Sequence, residues 1–331
     1  MSPNWLDTGI LIVLVIQSLG EWLAGPMMFF SFLGSEQFFL LIAPAIYWCI
    51  NTQIGLRLGI YLALTAGVNS ILKLIFHGPR PYWYNPRVLA LASESSFGIP
   101  SGHSQSAVVV WGSLAASIGK RWLGLLAGVL TILIGLSRIY LGVHFPQDVL
   151  VGWLIGLLLL WILIKIEPPV LSWLRQKNLA GQISAALFAS LLIILTAWLA
   201  HQALGDWTVP TEWIENAARA FPDDEPINPL ALSSIVSNSA IFFGLAAGGM
   251  WIDSRGGFRV QGSGWQLVLR YLVGLLGVLL FWFGLGELLP DGEGGFPLLL
   301  RYLRYALVGF WVSGMAPVTF IRLHLAESIH K

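Results

Sequence analysis

Stretches of about 20 mainly apolar residues, the length that crosses a bilayer as helix, recur along this chain with only short polar connections between them. That recurrence constrains the fold more than any other feature, because a helix hydrogen-bonds its own backbone and so tolerates hydrocarbon around it. Hydrophobic residues fill 56% of the 331 positions and charged ones 11%, at a mean hydropathy of +0.75, which is far from a water-soluble domain. Measured by length and apolarity, about nine spans are expected. They run near Glu36 to Ile50, Gly55 to Phe76, Gly102 to Ile118, Trp122 to Tyr140, Gln147 to Ile164, Ile183 to Ala203, Leu230 to Ile252, Trp265 to Leu289 and Pro297 to Ile321.

The fold class that follows is an all-α polytopic membrane protein, a helical bundle core with additional C-terminal transmembrane helices. Residues 1–33 are broken by Asp7, Gln17, Glu21 and the Gly25-Pro26 pair, and read as an interfacial N-terminal segment that does not span. No Lys or Arg precedes the apolar run from Ile10, so it is expected to belong to the mature chain. Residues 34–166 then form a core, and 167–331 an additional transmembrane region. The gap from Gly205 to Pro229 has room for a short surface helix.

Charge adds direction. Arg57, Lys120, Arg121, Lys165, Arg175, Lys177, Arg255, Arg259, Arg322 and Lys331 flank alternate connections, which predicts that face to be cytoplasmic. The loop from His77 to Ser101 then lies outside. A net charge of +1, with cations scattered singly, makes nucleic acid an unsuitable partner. Membrane lipids and a phosphorylated lipid or isoprenoid are the partners to expect, and oligomeric state is not legible. Cys49 stands alone, so no intramolecular disulfide can form.

Against this bare background, ionisable residues concentrate in three segments that reach the same predicted face. Lys73 and Arg80-Pro81 close the second span, and Pro100-Ser101-Gly102-His103 opens the third. Ser137-Arg138, His144 and Asp148 join the fourth span to the fifth. Side chains of this kind at membrane depth are costly to bury and mark function. Fixed cations such as Lys73, Arg80 and Arg138 suit the equatorial oxygens of a phosphoryl group. Arginine can hold two such oxygens in its planar fork, and Gly102 stands where backbone N–H groups at a helix start can approach an anion.

These segments resemble the three motifs of the type 2 phosphatidic acid phosphatase superfamily, in order and with every signature position filled, over roughly Glu36 to Lys165. Sphingosine-phosphate phosphatases and glucose-6-phosphatases are also similar through the Arg80-Pro81-Tyr82-Trp83 continuation. The resemblance implies a membrane phosphatase in which His144 attacks phosphorus, His103 serves as acid and then base, and Asp148 fixes the tautomer of His144. It implies phosphate binding by Lys73, Arg80, Ser101, Gly102 and Arg138, with no metal or other cofactor. The substrate class expected is a lipid phosphate or isoprenyl diphosphate, with a sugar phosphate as the alternative enzyme reading. A lipid-phosphate binder without turnover is the alternative outside enzymes.

Several residues have plainer explanations. Lys73 and Arg138 could snorkel from span ends, Ser101 could only cap the helix beginning at Gly102, and Asp148 suits a helix start after Pro146. Tyr82, Trp83 and Tyr84 read better as an interfacial aromatic belt than as a substrate gate. Asp223, Asp224 and Glu225, between two prolines, read as an exposed turn.

Overall fold

The structure is a computed structural model that describes residues 5–329, and Lys331, counted above among the cytoplasmic cations, lies outside them. Among the described residues regular structure is helical, apart from one isolated antiparallel bridge between Phe258 and Ser328. Helices α1 (Trp5–Gln17) and α2 (Ala24–Phe32) are joined by a 3₁₀ turn at Glu21–Leu23 and bend by 89°. Then follow α3 (Glu36–Cys49), α4 (Thr52–Phe76), a single turn α5 (Pro81–Tyr84), α6 (Gly102–Ile118), α7 (Arg121–Tyr140) and α8 (Pro146–Arg175). The remainder comprises α9 (Leu179–Gln202), the short α10 (Thr211–Ala220), α11 (Ser233–Asp253), α12 (Gly264–Leu279), α13 (Gly295–Phe310) and α14 (Ala316–Arg322). A π-helical turn extends α12 at Leu280–Gly284, and another joins α13 to α14 at Trp311–Met315.

Nine spans is too many. Among the described residues six helices are long and apolar enough to cross a membrane, or seven if the bent pair at the N-terminus is one broken span. The expected span at Glu36 is a 14-residue helix with Pro44 inside it, about 21 Å long at 1.5 Å per residue against ~30 Å of hydrocarbon. The one at Gly102 has 17 residues. The last run is divided by its π-turn and carries Arg301 and Arg304. Conversely α8 does not stop near Ile164 but continues through Pro168 and Pro169 for 30 residues in all.

The chain packs as two compact units. The first takes the helices up to Phe38, then Val68–Trp161 and Ala197–Ala231, while the second takes Phe39–Gly67, Ile162–Thr196 and the chain from Leu232 onward. In the first unit, α6 ends at Gly119, whose φ of 73° closes the helix in the left-handed conformation and turns the chain into α7. Gly152 and Gly156 let α8 lie directly on the start of α6. A Cβ on Gly152 would stand 2.7 Å from the Ser101 carbonyl oxygen, and one on Gly156 2.8 Å from that of Gln105. The N-terminal helices pack here too, with the Gln17 amide donating to the carbonyls of Leu89 (2.7 Å) and Tyr140 (2.9 Å).

The second unit is built on small residues and aromatic rings. Backbones of α11 and α13 touch at Gly244 and Gly309, the close approach that small-residue helix pairs use in membranes. Trp48, fully buried, donates its indole N–H to the Val312 carbonyl at 2.8 Å. Arg270, also fully buried, donates to the carbonyls of Leu325, Trp48, Val260 and Gln261 at 2.6 to 3.1 Å and so ties α12 to the segments around it.

Candidate active site

The C-terminal end of α4, the N-terminal ends of α6 and α8 and the C-terminal end of α7 meet in the first unit, with the loop 85–101 laid across them. Arg80 is the centre of this meeting point and has no exposed surface. Its Nε donates to the Ser96 carbonyl at 2.6 Å and its Nη1 to the Val143 carbonyl at 3.0 Å. Nη2 reaches the Ser96 hydroxyl at 3.2 Å, the Phe97 carbonyl at 3.3 Å and a Glu94 carboxylate oxygen at 3.3 Å. Lys73, one helical turn before the end of α4, donates to the same Ser96 hydroxyl at 2.7 Å. Arg138 donates from Nη1 to Ser31 on α2 at 2.6 Å and pairs through Nη2 with the other Glu94 oxygen.

His144 follows α7 in the turn before α8 and is 1% exposed. Its Nε2 lies 3.3 Å from Arg80 Nη1, and its Nδ1 makes a long contact of 3.4 Å with Asp148 Oδ2. A guanidinium only donates, so Nε2 is the accepting nitrogen and the proton is assigned to Nδ1, facing the carboxylate. Burial, and then the charges of Arg80, Arg138, Lys73 and His103, hold this imidazole well below its usual 6.5, so the ring is neutral at pH 7. Asp148 also accepts the backbone N–H of Phe145 at 2.9 Å, so its helix-start reading and its contact with His144 hold together.

His103, in the first turn of α6, belongs to the same cluster, since it acts electrostatically on both Glu94 and His144. Ser101 caps α6 by accepting from Ser104 N at 3.4 Å, as its plainer reading expected, and also accepts the Ser104 hydroxyl at 2.9 Å. Gly102 faces Asn69, whose side chain bonds Gln105 at 3.0 Å and the Pro100 carbonyl at 3.2 Å. The sequence-selected residues therefore converge, with the cations and imidazoles in one cluster and Ser101 and Gly102 at its helix start.

Four participants were not picked out in the sequence: Ser31, Asn69, Ser96 and above all Glu94. Burial alone would raise the Glu94 carboxyl, but Arg80, Arg138, His103 and Lys73 outweigh it and hold it below the usual carboxylate range. A signal was present, since Glu94 is the one acidic residue between Glu36 and Asp148. The aromatic belt reading is corrected as well. Tyr82 and Trp83 are buried, because α10 and its flanks cover them. Asn216 donates to the Trp83 carbonyl at 2.9 Å, the Trp213 ring lies tilted against Trp83 at 6.4 Å and Phe221 meets Tyr82 edge-on at 5.9 Å. The short helix expected after Gly205 thus exists as this cover.

Folded in this way, the chain is a polytopic helical membrane protein with a buried cationic cluster and a neutral imidazole in it. It belongs to the PAP2 superfamily of membrane phosphatases, whose family model matches residues 54–171, while that of the PAP2 superfamily phosphatase transmembrane extension matches residues 236–328. Phosphatidylglycerophosphatase B of Bacillus subtilis is 34% identical over 169 residues, which are 47% of this chain and 80% of that protein. An undecaprenyl-diphosphatase of Sulfolobus acidocaldarius is 28% identical, over 44% of this chain and 71% of its own length. Glucose-6-phosphatase 3 of Bos taurus is 25% identical over 246 residues, 65% of this chain and 70% of that one. The resemblance stated from the motifs is borne out at the level of the superfamily.

Proposed function

We propose that this protein hydrolyses the phosphate ester or diphosphate of a membrane lipid or isoprenoid through a phosphohistidine on His144, without a metal ion. One observation carries the reading: the accepting Nε2 of a neutral, buried His144 lies beside Arg80, with Nδ1 turned to Asp148. In the first half-reaction Nε2 attacks the terminal phosphorus, the bond from it to the leaving oxygen breaks (the lipid oxygen of a phosphate ester, the bridging oxygen of a diphosphate), and His103 gives that oxygen its proton. In the second, water attacks phosphorus as His103 takes a proton from it, the phosphorus–nitrogen bond breaks, and orthophosphate leaves. Lys73, Arg80 and Arg138 neutralise the equatorial oxygens, with further donors from Ser101 and the Gly102 backbone. Asp148 stabilises the charge that His144 acquires.

Catalysis is assigned to residues 34–166, with 1–33 as an interfacial segment and 167–331 as the additional transmembrane region. The site opens at the outer face, where a head group enters sideways while its tail stays in the bilayer. The lipid reading is supported by relatives named for phosphatidylglycerophosphate and undecaprenyl diphosphate. A sugar phosphate is the second reading, because the glucose-6-phosphatase similarity runs over more of this chain than those two do.

Purified protein assayed with chelator against long-chain phosphatidate, an isoprenyl diphosphate and glucose 6-phosphate separates the readings. Phosphate released from a lipid substrate, with acid-labile label trapped on His144, is the expected result. Turnover of glucose 6-phosphate alone moves the assignment to the second reading, and release from none of the three leaves a lipid-phosphate binder.

A further inference from the structure

Glu94 holds the place that a substrate's charge would need. Its two carboxylate oxygens bridge the two arginines, one to Arg80 Nη2 at 3.3 Å and the other to Arg138 Nη2. Two oxygens of one anion, each on a different guanidinium, is also how a phosphoryl group would be clamped. The arginine side chains are 0% and 4% exposed, whereas that of Glu94 is 24% exposed, so the carboxylate closes the solvent side of the cationic pair. It is flanked by exposed Ser93 and Ser95.

We propose that Glu94 is a built-in counter-anion: it occupies the phosphate cradle while the site is empty, is displaced by the substrate's phosphoryl group, and returns to expel orthophosphate. This deepens the phosphatase reading above and rests on it. Two like charges on the same two Nη2 groups exclude one another, so Glu94 and a phosphoryl group alternate. The swing needs no rearrangement of the loop. The Tyr82 hydroxyl donates to the Glu94 carbonyl at 3.0 Å and accepts its N–H at 3.1 Å, so the backbone stays fixed while the side chain changes rotamer. Nor do the cations follow it. Arg80 remains tied to the carbonyls of Ser96 and Val143, and Arg138 to the Ser31 hydroxyl. A cradle already shaped and charged is left when the carboxylate leaves. Without such a competitor, three cations in a buried pocket would retain the product and slow the cycle.

The test is direct binding of orthophosphate to the purified full-length protein, wild type against Glu94→Gln and Glu94→Asp, by equilibrium dialysis in detergent. Glu94→Gln is expected to bind orthophosphate about tenfold more tightly, about 1.4 kcal/mol, and orthophosphate should raise its melting temperature more than that of the wild type. Glu94→Asp, whose shorter side chain cannot bridge both arginines, is expected to bind between the two and serves alone if the glutamine variant does not fold. Under turnover, product inhibition should strengthen in step. Equal or weaker binding by the variants would make Glu94 a fixed scaffold for the arginines and overturn the proposal, as would no orthophosphate binding by any of the three proteins. Tighter binding by the variants alongside a wild type that releases phosphate from no substrate would overturn the hydrolytic reading and leave the counter-anion standing.

Discussion

Arg80 in the first unit and Arg270 in the second are both guanidinium groups with no exposed surface, yet their surroundings differ in kind. Every contact that fixes Arg270 is a backbone carbonyl, an acceptor that cannot leave, titrate or be exchanged for a ligand. Arg80 also has carbonyl ties, but it keeps one hand on an imidazole and the other on a carboxylate. The first arrangement is a clamp, and the second is a clamp that also holds two ionisable side chains. Burial of charge therefore does not by itself identify a site, even in a membrane. The chemistry of the partners does: where they are titratable or displaceable side chains, the cation is available for function.

The comparison breaks most sharply at the site. On the proposed mechanism His144→Ala should lower turnover by roughly four orders of magnitude or more, because it removes the proposed nucleophile and with it the reaction path. The melting temperature should stay within a few degrees of the wild type, and near-normal turnover would remove His144 from the mechanism. Arg80→Lys is expected to lower kcat/KM by roughly 10² to 10³, since a point charge cannot replace a fork that reaches carbonyl, imidazole and anion together. In the second unit Arg270→Leu should do the opposite. It strands carbonyls in a buried setting and should cost about 3 kcal/mol of stability, read as a lower melting temperature, while activity per folded molecule is kept. If Arg270→Leu stays folded and loses turnover, the clamp distinction fails.

Two smaller effects sharpen it. Gly152→Ala and Gly244→Ala each place a methyl group against a neighbouring backbone, at a cost of about 1–3 kcal/mol. Only Gly152→Ala should also reduce kcat, because it presses on the carbonyl of Ser101 next to the turn that carries His103. The smallest is a pH effect. A depressed imidazole pKa means that protonation in the folded protein begins only below the unfolded value. The acid limb of kcat/KM that belongs to His144 should therefore fall below pH 6.5, and at pH 7 its neutral form is already complete. The same shift makes stability fall as pH drops below 6.5, where the unfolded chain binds the proton first. An acid limb with its midpoint above 6.5 would contradict the burial of this ring.

The site was legible in the chain because its cations and imidazoles sit at fixed short spacings on helix ends, so each motif carries its own geometry. Lys73, Arg80, His103, Arg138, His144 and Asp148 could be chosen before any packing was known. Glu94 could not be assigned in that way. Its partners lie 14 and 44 residues away, and nothing local distinguishes a carboxylate in a serine-rich loop from a solvated one. Tyr82 and Trp83 misled for a similar reason, since the cover that buries them comes from α10, about 130 residues further along.

What the sequence determined alone was the environment and the candidate residues: long apolar runs commit the backbone to helix in hydrocarbon, and the charges gathered in three short motifs mark the candidate site. Tertiary structure decided how many of those runs are long unbroken helices, which arginine is held by carbonyls alone and which also by side chains, and that Glu94 pairs with both Arg80 and Arg138. Those outcomes depend on contacts between distant segments, and hydropathy and spacing are local quantities that do not contain them.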